Sequence, residues 1–472
     1  MFFVAMLTAS CTWADPDTAA RAPVAESTAA DEPLNVVFIL TDDQRYDMVE
    51  QMPTVSTRLA GEGLSFDTAI VTTSLCCPSR ASMLSGRYAH AHGIRTLSGA
   101  HKFDARETIA TWLDRAGYTT ALIGKYMNAN GKLAPAVPPG WDEWRTFMDN
   151  PASFFGDSLY YGYRLNENGA SRAYGTAPED YSTDVLAAFA TRFVAEAEEP
   201  FFLYFAPFAP HLPSLPAERH KGLSAKAVIP VPVPEADTTD KPRHVRSRRA
   251  ALEGEPTEPF AQLWVRHVRR HNPRLELESL LAVDDAVAGI LDELDKRGVE
   301  GRTLVVYTSD NGALAGEHWS WGKNDAYEES IKIPLIMRLP GTIPRGSRSA
   351  ELVANIDFAP TIAALTGAAV VGEIDGVSLV PVLKGQRLPR EEVLLEWWSS
   401  ADGPPIATPG FHGIRARDWK YVAYRDGFEE LYDLANDPGE LENLAVEDPE
   451  HPRMAEMRAR LGKYPDINRK FP

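Results

Sequence analysis

The sequence predicts an α/β protein. A large, mostly parallel sheet should be sandwiched by helices, with a small α+β subdomain at the C-terminus. Three observations predict it. Short, continuously apolar runs at 35–40, 201–205 and 303–308 suit strands buried on both faces, as parallel sheets require. Amphipathic stretches at 182–197 and 275–297 stand between such runs, as crossover helices do. Near residue 385 the alternation gives way to closely spaced strand-like segments at 393–398, 413–424 and 429–434. The expected domains are therefore a leader and linker over 1–33, a main domain over 34–385 and a subdomain over 386–472.

Composition narrows the function classes. The chain has 472 residues, with 48 basic against 66 acidic side chains and a net charge of −18. That balance speaks against nucleic-acid binding and means that an anionic substrate needs a local basic pocket. The three cysteines, Cys11, Cys76 and Cys77, make no disulfide framework. No internal apolar run reaches the 18 or so residues of a membrane span. Residues 1–10 are a short apolar run ending at Cys11. Leu7-Thr8-Ala9-Ser10-Cys11 resembles a bacterial lipobox, although Thr8 stands where Leu is usual and no basic residue precedes the run. The expectation is export to the cell envelope, periplasmic or extracellular, with membrane contact only through a lipid on Cys11.

The elements follow in order. The strand at 35–40 ends at Thr41-Asp42-Asp43-Gln44, and adjacent carboxylates at a strand's carboxyl end suggest a shared cation. A short helix over 54–60 leads into a strand over 64–72, which delivers Ser74-Leu75-Cys76-Cys77-Pro78-Ser79-Arg80. Pro78 suits the first position of a helix, placing Cys76 just before a helix N-terminus that favours an anion. His90 and His92 lie in an expected loop over 88–93, where packing explains them better than metal ligation. A helix over 107–116 and a strand over 118–123 lead to Gly124-Lys125-Tyr126. A turn with packed aromatics is expected at 138–144, a hairpin over 160–169, and a helix through 197 capped by Ser182. The strand at 201–205 runs into a proline-rich segment holding His211. Residues 214–260 read as an excursion over the site. Their basic run 241–249 has two readings: relief of the negative field near a polyanionic substrate, or a solvated charge run. His267 and His271 read as an exposed helix face. The helix over 275–297 stops at Gly298, and the strand at 303–308 ends at Ser309-Asp310-Asn311-Gly312, a third charged strand end and the second acidic one. Glu317-His318, Lys323, a strand at 333–338 and a helix opening at 355–361 follow.

Asp42, Asp43, Asp310 and Asn311 offer only oxygen, which selects Ca²⁺, or less readily Mg²⁺, over zinc. Cys76-x-Pro78-Ser79-Arg80 followed by Gly86-Arg87 resembles the signature of the type I sulfatases, of the alkaline-phosphatase-like superfamily. The resemblance runs through nearly the whole chain from about residue 34. It implies that Cys76 is oxidised to formylglycine (3-oxoalanine) by a maturation enzyme, and that Arg80 supports it. It implies Asp42, Asp43, Cys76, Asp310 and Asn311 around the metal, and Lys125, His211 and Lys323 around the sulfate. His318 is a further catalytic candidate. Arg415, Lys420-Tyr421, Glu430–Leu434, Asp437-Pro438 and Asn443-Leu444 match the family's C-terminal subdomain.

One departure points to a branch. Many sulfatases have His two places after the lysine matching Lys125, where this chain has Met127. Gly124-Lys125-Tyr126-Met127-Asn128 is similar instead to the N-acetylglucosamine-6-sulfatase branch. The leaving-group acid is then sought in His211 or His318. The resemblance implies hydrolysis of a sulfated sugar or glycan through a formylglycine hydrate and a covalent sulfo-enzyme. A phosphonate or phosphate monoester hydrolase of the same fold, and a non-catalytic glycan-binding protein, are the alternatives.

Overall fold

The computed structural model describes residues 33–97, 100–128, 133–148, 159–229, 232, 234–399 and 403–464. The lipobox and Cys11 lie outside the described residues. Sixteen strands are present among the described residues. They are β1 (Asn35–Thr41), β2 (Leu64–Ile70), β3 (Thr119–Gly124), β4 (Glu143–Phe147), β5 (Arg164–Glu167), β6 (Ala170–Ala173), β7 (Phe201–Ala206), β8 (Thr303–Ser309), β9 (Leu314–Ala315), β10 (Trp321–Gly322), β11 (Leu335–Arg338), β12 (Ser347–Ala354), β13 (Glu392–Trp397), β14 (Phe411–Ala416), β15 (Trp419–Tyr424) and β16 (Glu429–Asp433).

Ten of them form one twisted sheet in the order β12-β2-β11-β8-β1-β7-β3-β4-β5-β6. Its centre is parallel: β1 pairs with β7 and β8, and β3 with β7 and β4. Antiparallel pairing enters at β11 and in the β5–β6 hairpin, so the sheet is mixed. The central strand β1 is buried on both faces. Val36, Phe38 and Leu40 join one core with Leu113, Phe358 and Ile362; Val37 and Ile39 join the other with Leu186, Leu280 and Ile290. Period-two alternation thus feeds two helical layers. Helices Cys76–Ser85, Ile109–Arg115 and Phe358–Thr366 cover the first face, and helices Ser182–Glu196 and Pro273–Arg297 the second. The C-terminal strands form an antiparallel sheet, β13-β14-β15-β16, whose Leu394, Ile414 and Tyr421 extend the first core.

Several expectations shift. β12 and β4 carry polar residues that hid them as strands; both are stabilised by neighbours, β2 and β3, distant in sequence. The expected segment 413–424 is two strands joined by a turn at 417–418. Residues 89–92 form a short helix rather than a loop, closed by Gly93 with φ of 79°. The helix at Cys76 starts at that residue with Leu75 as its cap, so Pro78 stands third. The first four helical N–H groups lack intrahelical partners, so proline fits there as well as at the first position.

The segment 214–260 contains a helix over Arg243–Glu253, and a second helix follows over Pro259–Val268. Its basic run is only partly solvated, because Lys241, His244 and Arg248 are buried. The Lys241 ammonium donates to the carbonyls of Glu440 (2.7 Å) and Leu441 (2.9 Å) and lies over the Tyr432 ring. Arg248 donates to Asp325 (2.7 Å), Ser320 (2.6 Å), Thr408 (2.9 Å) and the Ile406 carbonyl (2.9 Å). These bonds tie the excursion to the segment behind Lys323 and to the approach to β14. His267 and His271 are partly buried, not on an exposed face, and their rings meet edge to face at 5.1 Å.

Burial pushes the Asp325 carboxyl up, but the Arg248 and His244 partners win and hold it below the usual carboxylate range. A depressed folded value means that the pair stabilises fully above the unfolded carboxyl's value of about 4 and is lost as pH falls. Asp325→Asn should cost about 3–5 kcal/mol at neutral pH, because it strands a buried guanidinium. Urea denaturation at pH 7 and near pH 3 checks this: the gap between the variant and the parent should narrow in acid, and a pH-independent gap would contradict the assignment.

Candidate active site

The strand order decides what meets. β8, β1, β7 and β3 lie side by side, so the segments leaving their carboxyl ends are neighbours. Thr41 faces Ser309 in register, and the Asp310 N–H donates to the Thr41 carbonyl at 3.1 Å. Asp42-Asp43 and Asp310-Asn311 therefore emerge together. The Asp43 N–H donates to Asp310 Oδ1 at 3.1 Å, and Asn311 Nδ2 donates to Asp43 Oδ1 at 2.8 Å. Asp43 sits at φ 68°, a turn that aims its carboxylate back over the strand ends. Lys125 leaves β3 beside β7. A Cβ on Gly124, at φ 120°, would lie 2.0 Å from the Ala206 carbonyl, so only glycine admits this approach.

The helix Cys76–Ser85 brings the rest. All ten of its residues are buried, and Gly86, at φ 70°, ends it. Asn355 Nδ2 donates to Ser79 Oγ at 2.9 Å, and its Oδ1 accepts from the Thr72 N–H at 3.1 Å. This clamp holds the entry to the helix and had no local signal in the sequence. Cys76 Sγ lies 2.7 Å from Lys323 Nζ, 3.5 Å from Asp42 Oδ1 and 3.9 Å from Asp43 Oδ1. Lys323 also reaches Asp43 and Lys125 reaches Asp42, both in short ion pairs. Arg80, fully buried, donates from Nε to Asp310 Oδ2 at 2.7 Å and from a terminal nitrogen to the Lys125 carbonyl at 2.6 Å. Cys77 points elsewhere: its sulfur accepts from the Asn128 N–H at 3.0 Å.

His211 reaches the cluster from the loop after β7. Its Nε2 is 3.6 Å from Asp43 Oδ2, its Nδ1 lies 2.8 Å from the Leu212 carbonyl, and its ring stacks on Phe208. It keeps more contact with solvent than Asp43 or Lys323, with 29% of the side chain exposed. His318 is not brought to this cluster. Its Nδ1 meets Glu235 at 2.5 Å, its Nε2 faces Glu329 at 3.9 Å and its ring stacks on Tyr327. With Met127 in place of the usual histidine, His318 was a candidate leaving-group acid beside His211. The turn between β9 and β10 instead sends its ring into a separate carboxylate group with Glu329 and Glu440. Met127 is buried in the core. His90 pairs with Glu396, and His92 with Ser82, as packing residues.

The charges explain one another. Burial pushes Asp42 up, but Lys125, His211, Arg80 and Lys323 hold it well below the carboxylate range. Asp43 is likewise raised by burial and lowered further by Lys323 and His211. Asp310 ends above the usual range, raised by burial and by Asp42 despite Arg80. Burial raises the Cys76 thiol well above its ordinary value, against the pull of Lys125 and Lys323. Burial lowers His211, opposed by Asp43.

Asp42, Asp43, Cys76 and His211 present ligand atoms within 4.8 Å of one another. Asn311 Oδ1 is buried with no hydrogen-bond partner among the described residues. An orphaned amide oxygen beside three carboxylates fits a hard cation.

Residues 34–368 match the sulfatase family profile. The chain belongs to the sulfatase family. It is thus a sulfuric ester hydrolase by membership. Residues 316–466 also match the profile of the N-sulphoglucosamine sulphohydrolase C-terminal region. Human N-acetylglucosamine-6-sulfatase is 32% identical over 476 residues, covering 88% of this chain and 82% of that protein. A Caenorhabditis elegans protein described as an extracellular sulfatase Sulf-1 homolog is 31% identical over 391 residues, 77% of this chain. This chain spans about half of that longer relative, 51%. Among solved structures, a protein in complex with its substrate D-glucosamine-2-N,6-O-disulfate superposes with a TM-score of 0.78 at 26% identity, covering 92% of this chain and 97% of that one.

The two adjacent cysteines should separate experimentally. Cys77→Ala leaves the buried Asn128 N–H unpaired and should cost about 1–3 kcal/mol of stability while sulfate ester hydrolysis continues. Thermal melting and turnover of an aryl sulfate measure both quantities. Abolished turnover in a folded Cys77→Ala enzyme would contradict this separation.

Proposed function

We propose that this sulfatase removes sulfate from a sulfated sugar of the N-acetylglucosamine-6-sulfate type, at the cluster around Cys76. The observation that carries the reading is one contact set: Cys76 Sγ stands 2.7 Å from Lys323 Nζ and 3.5 Å from Asp42 Oδ1. A nucleophile position flanked by an ammonium and by oxygen ligands suits an anionic ester. The sugar class is supported by the human relative and by the substrate of the superposing structure. The Gly124–Asn128 stretch, with Met127, supports the same branch.

Asp42, Asp43, Asp310 and Asn311, with the Cys76 side chain, would hold Ca²⁺, and the ion would polarise the ester sulfate as charge develops. Converted to formylglycine by a maturation enzyme, the Cys76 side chain would offer a hydrated aldehyde with one hydroxyl to attack sulfur and a second to expel sulfate. Lys125 and Lys323 bind sulfate oxygens and offset the net charge of −18, which otherwise opposes an anion. Arg80 positions Asp310 and takes no part in proton transfer. His211 is the proton donor to the departing sugar oxygen, because it is the histidine beside Asp43 and it keeps an open side. Water completes the hydrolysis: the alcohol gains a proton and sulfate leaves with the water-derived oxygen. The working enzyme comprises a catalytic domain over 34–385 and a subdomain over 386–472. It acts outside the cytoplasm, in the periplasm or beyond, a reading supported by the N-terminal sequence and the extracellular relative.

Two experiments test this. Cys76→Ala should fold and lose at least about a thousandfold in kcat on an aryl sulfate, as expected when a covalent nucleophile is removed. Mass spectrometry of the parent protein's Cys76 peptide should find the aldehyde; an active enzyme carrying an unmodified thiol overturns the proposed chemistry. Chelation should lower both the melting temperature and the turnover, with Ca²⁺ restoring them better than Mg²⁺. Assays with N-acetylglucosamine-6-sulfate and an aryl phosphonate complete the comparison, and faster hydrolysis of the phosphonate would overturn the reading.

A further inference from the structure

The carboxylate group around His318 takes no part in the reaction above, yet four segments of the chain converge on it. His318 comes from the turn between β9 and β10, Glu329 from the helix Glu328–Ile331, Glu440 from the turn after β16, and Glu235 from the segment after His211. One ring nitrogen of His318 and one oxygen each of Glu329 and Glu440 lie within 4.8 Å of one another. Glu440 sits at φ 53°, and its Oε2 accepts from the Glu328 N–H at 2.7 Å, which leaves Oε1 for the group. That oxygen has the Lys420 ammonium at 2.6 Å, and the same ammonium also reaches Glu328 Oε1 (3.0 Å) and the Ala326 carbonyl (2.8 Å).

The hydrogen bonding is incomplete on one side. His318 is 2% exposed, and its Nδ1 meets Glu235 Oε1 at 2.5 Å. A proton on Nδ1 leaves Nε2 with its lone pair. Nε2 makes no hydrogen bond among the described residues and faces Glu329 Oε2 at 3.9 Å. Glu329 Oε2 and Glu235 Oε2 are buried and also lack a hydrogen-bond partner among the described residues. An imidazole that gives one N–H to a carboxylate and points its other nitrogen at further carboxylates is the arrangement of a metal-bound histidine. Charge points the same way. Glu235, Glu328, Glu329 and Glu440 face two cations, Lys420 and Arg415, the latter forked onto Glu328 at 2.9 and 3.0 Å. Lys241, which holds the Glu440 carbonyl, is matched by Asp240, and Glu317 by Arg45. With His318 neutral, two negative charges are left over in a buried place, which is costly. One divalent cation removes both; two protons are the other solution.

We propose that His318, Glu329 and Glu440 form a second metal site, for Zn²⁺, with Glu235 as the carboxylate that orients the imidazole. One nitrogen with two carboxylates suits zinc, whereas the oxygen set at Asp42, Asp43, Asp310 and Asn311 suits calcium. Ligands about 2.1 Å from an ion stand roughly 3.4 Å apart, so the three side chains close by about an ångström on binding. Lys420 keeps Glu328 and the Ala326 carbonyl. The ion bolts the segment that carries Lys323 to the turn after β16. Its role is structural: no step of the reaction passes through it, so the site stands or falls independently of the sulfatase reading.

The test uses the full-length protein, stripped of metal and kept in excess Ca²⁺ so that the first site is filled. Titrated with Zn²⁺, the parent should take up one equivalent by elemental analysis, and at a hundredfold excess over Kd its melting temperature should rise by about 3 °C. Glu329→Gln and Glu440→Gln should each weaken zinc binding by about tenfold or more, and Glu235→Gln by about ten- to a hundredfold through the imidazole. Glu329 is the most exposed of the ligands, so its variant decides the matter if the others fail to fold. Two controls exclude other lodgings. Asp42→Asn should leave the zinc stoichiometry unchanged, and so should His271→Gln, which breaks up the His267–His271 pair whose Nε2 atoms lie 3.4 Å apart. A parent that takes up no zinc, uptake unchanged in Glu329→Gln, or uptake lost with Asp42→Asn or His271→Gln overturns the site; the first of these leaves protons as the neutralising charge.

Discussion

Three carboxylates, Asp42, Asp43 and Asp310, share one water-poor space, and the rest of the site is arranged to make that tolerable. Like charges at such separations cannot all ionise alone. Arg80, Lys125 and Lys323 bring three compensating charges, each from a different segment of the chain. The balance is uneven. Asp42 and Asp43 are held ionised, while Asp310 is pushed toward its neutral form even with Arg80 against it. A divalent cation at these oxygens would settle all three, so the acidic strand ends make physical sense as a binding site rather than as packing. With a metal carrying that neutralisation, Lys125 and Lys323 would be free to meet an anionic ester, while Arg80 stays on Asp310.

That arrangement depends on a few backbone contacts. The register of Thr41 against Ser309 puts two acidic turns side by side; a slip of one residue would turn either pair away. The close approach of Gly124 to Ala206 sets the depth of Lys125. Gly312 has a similar part, since a Cβ there would lie 2.1 Å from the Glu329 carbonyl. These positions have little to do with chemistry, yet they carry its geometry.

The segment after His211 changes the view of the site's outer wall. Its basic run is not simply solvated. Lys241 and Arg248 point inward and lock the helix Arg243–Glu253 against the segment behind Lys323 and against the C-terminal part of the chain. A basic run in a chain with a strongly negative total can in this way serve as internal anchoring, because pairing depends on local arrangement more than on net charge.

The sequence by itself determined the fold class, the central strands and the residues of the cluster. Short apolar runs such as 35–40, bounded by polar residues, suit buried strands, and the acids Asp42, Asp43 and Asp310 at two strand ends point to a shared cation. The Cys76–Arg80 stretch was legible as the start of a helix, whereas Lys125, His211 and Lys323 were legible through the resemblance to the sulfatases. Polar strands such as β12 were not legible, since partners distant in sequence stabilise them. Nor was the fate of His318, or the burial of Lys241 and Arg248. Local sequence records that a side chain is charged, but not which distant carbonyl or carboxylate will meet it. Only the tertiary structure decided that His211 faces Asp43 while His318 faces Glu235. A side chain's partner is set by the turn geometry and by neighbouring layers, and both exist only after the sheet has assembled.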